Sequence, residues 1–127
     1  MKNKNKTVLI IEDDPFISDV YVLKIESEGY SVDTAEDGLI GLEKLKKKKY
    51  DIVLLDILMP NLDGFKVLER VKMVPSLSKT PIVILTNLSQ KNDIQKGLNL
   101  GAIDYIVKTK FTPSEVIKTV NKILKEN

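Results

Sequence analysis

Residues able to do chemistry recur where short apolar runs stop. Glu12-Asp13 follow Val8–Ile11, and Asp56 follows Asp51–Leu55. Thr86 follows Ile82–Leu85, and Lys108 follows Ile103–Val107. Three carboxylates at close quarters repel one another, and their pKa values rise unless a cation sits among them. An all-oxygen set of this kind suits Mg²⁺, which keeps some positions for water or phosphate. A lysine is a point charge for a phosphoryl oxygen, and a threonine hydroxyl donates to another. A carboxylate can also be the nucleophile and carry the phosphate as an acyl phosphate. Such transfer depends mainly on positioning and charge stabilisation. Taken singly, each residue has an ordinary reading. Asp14 is a helix cap, Thr86 a strand residue, Lys108 a solvated end and Asp63-Gly64 a turn. The recurrence at four strand ends is what points to one shared site.

What the chain lacks narrows the chemistry further. It has no His, which removes the Ser-His triad, the His-ligated zinc site and a phosphohistidine carrier. It has no Cys, so thiolate chemistry and disulfides are absent, in keeping with a reducing cytoplasm. No apolar run approaches the ~20 residues that a membrane span needs. The 127 residues predict one domain, 1–127, and 43% hydrophobic with 30% charged residues is an ordinary globular composition. Basic residues exceed acidic ones by only 20 to 18, which is no nucleic-acid footprint. Lys46–Lys49 reads as a solvated helix end, and Met1 to Lys6 as a flexible, solvated N-terminus.

Five strands and five helices are needed to position these groups. The strands are predicted at Val8–Ile11, Ser31–Ala35, Asp51–Leu55, Ile82–Leu85 and Ile103–Val107, the second being polar enough for an edge. Asp14-Pro15 opens the first helix, with Phe16, Ile17, Val20 and Leu23 as its apolar face. Leu39, Leu42 and Leu45 mark the second helix, and Phe65, Leu68 and Val71 the third. The fourth, Ser89 to Leu100, is weak, with only Ile94 and Leu98 as anchors and an internal Gly97. Thr112-Pro113-Ser114-Glu115 is a capping box that opens the last, which carries Val116, Ile117, Val120, Ile123 and Leu124. Strict alternation requires crossovers, hence an α/β fold with a mostly parallel sheet and helices on both faces. All strand carboxyl ends then share one edge, where ligands of such sheets bind.

The segments VLIIEDDPFI, DIVLLDILMPNLDGF, PIVILTN and GAIDYIVK together resemble the receiver domains of two-component response regulators, chemotaxis-regulator-like, over essentially the full length. The resemblance implies a three-layer, doubly wound, flavodoxin-like (βα)5 fold with sheet order 2-1-3-4-5. It implies Asp56 as phosphoacceptor, fed by a histidine kinase or a histidine phosphotransfer protein. Asp13 would bind Mg²⁺ directly, Glu12 through water, and the backbone carbonyl of Leu58 would be a further ligand. Lys108 would contact the phosphoryl group, Thr86 would swing toward it, and Tyr105 would change rotamer in step. The face of the fourth helix, fifth strand and fifth helix would then bind an effector domain, a downstream protein or a second copy. Such a domain catalyses only its own phosphorylation and slow dephosphorylation, in the cytoplasm. Kinase contact is expected through the first helix near Phe16.

Two positions depart from the family pattern. Thr109 follows Lys108 where Pro is usual, which favours a trans bond and a different loop. Asn87 stands where a small residue is usual, with room to narrow access to Asp56 or to bond the phosphate. Leu58 and Leu88 flank the acceptor as apolar groups, and a long-lived phosphoryl form is expected. Three other readings compete. A phosphorylation-independent binding module is opposed by the intact Glu12, Asp13, Asp56, Thr86 and Lys108 set. A phosphatase of the haloacid dehalogenase type would carry D-x-D after its first strand, where this chain has Glu12-Asp13-Asp14-Pro15. A flavin carrier would need a Ser/Thr/Gly-rich phosphate loop there instead of acids. No recognition helix remains outside the core pattern, which argues against direct DNA binding.

Overall fold

A computed structural model describes residues 6–125. The expectation for the N-terminus therefore falls largely outside the described residues. The elements are β1 (Thr7–Ile11), α1 (Pro15–Ser27), β2 (Ser31–Ala35), α2 (Gly38–Lys47), β3 (Ile52–Leu55), α3 (Gly64–Met73), β4 (Ile82–Thr86), α4 (Lys91–Asn99), β5 (Asp104–Val107) and α5 (Pro113–Lys125). A single 3₁₀ turn over Lys108–Lys110, not anticipated from sequence, joins β5 to the α5 loop.

The five strands pair in parallel in the order β2-β1-β3-β4-β5. The polar second strand is an edge, as its composition predicts. Side chains alternate across each strand, so the near-continuous apolar runs feed two cores. Leu9, Ile11, Val53, Leu55, Ile82 and Ile84 pack with α2 and α3. Val8, Ile10, Ile52, Leu54, Val83, Leu85 and Ile106 pack with α1 and α5. Both cores together hold the strand ends rigid at one edge.

The helix starts follow the local rules. Asp14 Oδ1 accepts from the N–H groups of Phe16 and Ile17, ahead of Pro15. The capping box closes reciprocally, Thr112 N–H to Glu115 Oε1 at 2.8 Å and Glu115 N–H to Thr112 Oγ1 at 3.2 Å. α3 buries Phe65, Leu68 and Val71, with Val67 beside them.

Three helix faces differ from their expected orientation. α1 buries Ser18, Tyr21 and Ile25, while Phe16 and Leu23 stand 82% and 69% exposed and Val20 is also exposed. α1 is apolar on both sides, and only one side can meet the sheet. α2 buries Leu42 and Leu45 through Gly38 and Gly41, leaving Leu39 in solvent. α4 buries Gly97 rather than Leu98, because a side chain there would collide with Ile84 and the Tyr105 ring. The close approach of backbone to sheet replaces the expected side-chain anchors.

Candidate functional site

β1 and β3 are neighbours, so their ends bring Glu12 and Asp56 side by side. The Asp56 N–H donates to the Ile11 carbonyl at 3.0 Å, and the Glu12 N–H donates to the Ala35 carbonyl at 2.9 Å. These bonds prolong the ladder by one residue and fix where each carboxylate starts. Glu12 and Asp56 are buried, and Asp13 is exposed. Carboxylate oxygens of Glu12, Asp13 and Asp56 all lie within 4.8 Å of one another. Lys108 arrives from the end of β5 and bonds both Glu12 Oε1 and Asp56 Oδ2, the latter at 3.2 Å. Asp56 Oδ1 accepts from the Ile57 N–H at 2.7 Å, and Glu12 Oε2 from the Asp14 N–H at 3.1 Å.

The charges bear on one another. Burial holds the Glu12 carboxyl above its ordinary value, against the Lys108 and Asp14 hydrogen bonds that lower it, and the Asp56 charge adds to the rise. Burial alone would depress Lys108, but the Glu12 bond and the charges of Asp56 and Glu12 outweigh it and hold the ammonium above its ordinary value. Lys108 is thus a charged group that offsets part of the acidic cluster.

Thr86 ends β4 and is fully buried. Its Oγ1 accepts from the Leu88 N–H at 3.4 Å, while the Tyr105 hydroxyl donates to the Leu88 carbonyl at 2.5 Å. The two groups expected to move together therefore hold one residue, one on each side of its backbone. Sequence reasoning marked Leu88 only as an apolar flank. Its backbone role carries no signature in residue type. The Leu88 side chain packs half-buried against the α2–α3 core. Burial first, then the charges of Asp93 and Asp56, push the Tyr105 hydroxyl up to about 12, so it stays a donor at neutral pH.

Leu58 lies in the loop between β3 and α3, its side chain 56% exposed, which leaves its carbonyl placed by the loop backbone. The Lys108–Thr109 bond is trans, and the 3₁₀ turn that follows still aims Lys108 at the carboxylates. Asn87 is exposed and borders a mostly apolar groove with Ile17, Val20, Tyr21, Thr109 and Phe111. That groove opens beside Lys108, toward the exposed face of α1. Of the residues singled out from sequence, Glu12, Asp13, Asp56 and Lys108 meet in one cluster. Thr86 ends the strand beside β3, and Tyr105 reaches the same loop as Thr86.

Comparison with known proteins accords with this geometry. The family model described as the response regulator receiver domain matches residues 8–121, and the chain belongs to that family. It is 35% identical over 118 residues to the response regulator ArlR of Staphylococcus epidermidis, covering 93% of this chain and 52% of that protein. It is 36% identical over 118 residues to the DNA-binding dual master transcriptional regulator RpaA of Synechocystis, covering 93% and 48%. Against the gliding motility regulatory protein of Myxococcus xanthus it is 31% identical, over 94% of this chain and 15% of that one. The chain thus spans about half or less of the length of these relatives. Among solved structures, Vibrio cholerae chemotaxis protein CheY4 superposes with a TM-score of 0.86 at 31% identity, covering 94% of this chain and 98% of that one. A response regulator from Chloroflexus aurantiacus gives 0.88 at 32%, covering 96% and 99%. The order 2-1-3-4-5 and the five helices are those of this fold. Among the described residues, no helix is long and apolar enough to cross a membrane.

Proposed function

We propose that this receiver takes a phosphoryl group onto Asp56 from a phosphohistidine donor, in a reaction that needs a divalent cation. The observation that carries the reading is the single cluster of Glu12, Asp13, Asp56 and Lys108, built from three strand ends far apart in sequence. The donors are all oxygen and two are buried, which fits a hard cation such as Mg²⁺. Asp13, Asp56 and the Leu58 carbonyl would hold it, with Glu12 acting through water. When bound, it supplies neutralising charge to the phosphoryl oxygens.

An Asp56 carboxylate oxygen attacks phosphorus in line. The O–P bond forms as the P–N bond breaks, and the electron pair goes to the imidazole nitrogen of the donor. Lys108 is drawn from Glu12 toward the transferred group, since a phosphate adds roughly −1.5 to −2 charge units. The Thr86 hydroxyl leaves Leu88 to donate to a phosphoryl oxygen. With one side of Leu88 released, Tyr105 repacks, and the α4–β5–α5 face changes for an effector domain, a downstream protein or a second copy. The exposed Phe16, Val20 and Leu23 on α1, next to the Phe111 groove, fit docking of the histidine kinase or histidine phosphotransfer protein. Apolar groups left in solvent as a contiguous face are what a partner covers.

The test is intact mass after incubation with a small phosphodonor, with Mg²⁺ or with EDTA, beside Asp56→Asn. One added phosphoryl group that requires Mg²⁺ and is absent from the variant is expected. No addition from the small donor or from a phosphohistidine donor would replace this reading with the phosphorylation-independent binding module.

A further inference from the structure

The loop between β3 and α3 carries the Leu58 carbonyl, and the Leu58 side chain is more than half exposed. The loop base is well held. Gly64 N–H donates to the Ile57 carbonyl at 3.0 Å, closing the segment on itself. The tip is held by a different element. Asn61 adopts a left-handed backbone (φ 68), the one such non-glycine residue among those described. Asn tolerates that region better than most residues. Its side-chain amide donates to Asp37 Oδ2 at 2.7 Å, while Asp37 Oδ1 accepts from the Ile40 N–H at 2.8 Å. One buried carboxylate therefore caps α2 and grips the loop tip with its two oxygens. Next to it, Leu62 packs so tightly on Gly38 that a Cβ there would stand 2.1 Å from the Leu62 carbonyl oxygen. α2 is itself seated on the sheet, with Gly41 against Ile11, one residue before Glu12.

We infer that the Asp37–Asn61 hydrogen bond is a positioning clasp that sets the height of the Leu58 carbonyl above Asp56, and so tunes cation affinity. The inference rests on the reading of the site given above. Asp37 and Asn61 do not touch the reacting atoms. They act through the loop backbone, as outer partners do in other metal sites, where losing one typically weakens binding 10–100-fold. A tether this far out belongs at the low end of that range.

The experiment is calorimetric titration with MgCl₂ alone, with urea unfolding in EDTA recorded for each protein. Asn61→Gly keeps φ 68 without strain and removes the amide. It is expected to weaken Mg²⁺ binding about tenfold. The double variant Asp37→Asn with Asn61→Asp keeps the wild-type net charge and reverses the bond. The new amide at 37 still caps α2 through its oxygen and donates to the new carboxylate at 61. It is expected to bind Mg²⁺ within about threefold of wild type, as one hydrogen bond is restored. A merely structural clasp would shift the urea midpoint in EDTA and leave the Mg²⁺ affinity alone. Wild-type affinity in Asn61→Gly, or a double variant as weak as Asn61→Gly, would overturn the inference. If wild type itself takes up no Mg²⁺, or Asp56→Asn takes it up equally well, the reading of the site fails first and the clasp with it.

Discussion

Gly64→Ala isolates the packing that holds the acceptor loop. Gly64 is the first residue of α3 and lies over the strand end. A Cβ there would stand 2.2 Å from the Asp56 carbonyl oxygen and 2.8 Å from the Ile57 Cα. Ordinary contact needs about 3.5 Å. The obstacles are backbone atoms, and Asp56 is already bonded into the β1–β3 ladder through its N–H. No rotamer change relieves the clash, so α3 must back off by about 1 Å, lifting Phe65, Val67 and Leu68 from the core. Overpacking of this kind costs about 1–3 kcal/mol, and a rigid obstacle places it at the upper end. The opposing helix-propensity gain, about 1 kcal/mol in a helix interior, is smaller at a first position. The net expectation is about 2–3 kcal/mol of lost stability, or roughly 8–11 °C in Tm for a domain of this size. Urea denaturation followed by far-UV circular dichroism measures it. Gly97→Ala is the matched comparison, because the atoms its Cβ would meet belong to side chains, Ile84 Cδ1 at 2.5 Å and the Tyr105 ring at 3.0 Å. Side-chain ends yield more readily than backbone, and the helix-interior gain is larger, so the loss is expected to be smaller, about 1 kcal/mol. A Gly64→Ala protein within about 0.5 kcal/mol of wild type, or one no worse than Gly97→Ala, would refute the claim that a rigid backbone contact fixes this loop.

Other consequences can be checked in parallel. Lys108→Ala strands Glu12 and Asp56 without their ammonium. A loss of about 3 kcal/mol in EDTA near neutral pH is expected from breaking a buried pair, with part of it restored by MgCl₂, and equal stability to wild type in EDTA would contradict the pairing. All four tyrosines have hydroxyls held above their usual 10.0, Tyr105 at about 12, in each case chiefly by burial. The unfolded chain therefore releases these protons first, so stability falls as pH rises through 10 toward 12. Phenolate absorbance at pH 10 should be lower in the folded protein than in the urea-unfolded chain, and equal absorbance in the two would contradict the upward shifts. Asp14→Ala removes the acceptor of two α1 amide protons and should cost about 1 kcal/mol, readable as a shift of the urea midpoint.

Much of the site was legible in the chain because it depends on chain order. Apolar runs of four or five residues alternating with helical segments require parallel strands, and parallel strands put their carboxyl ends on one edge. Glu12, Asp13, Asp56 and Lys108 lie just past the ends of such runs, so their meeting follows from topology without knowledge of any side-chain angle, and Thr86 ends a run on the same sheet edge. Caps at Asp14 and Thr112 were equally readable, being contacts between residues two or three apart.

What tertiary structure alone decided is which of two equivalent faces is buried and which backbone groups meet. Tyr21 and Ile25 compete with Phe16, Val20 and Leu23 for the sheet, and local periodicity offers no reason to prefer one set. Docking of α1 beside α5 settles it and leaves the second set in solvent. The bond from Tyr105 to the Leu88 carbonyl and the grip of Asp37 on Asn61 are equally invisible in the chain. Backbone acceptors carry no residue identity, and an Asp that caps one helix gives no sign that its second oxygen holds a loop 24 residues away.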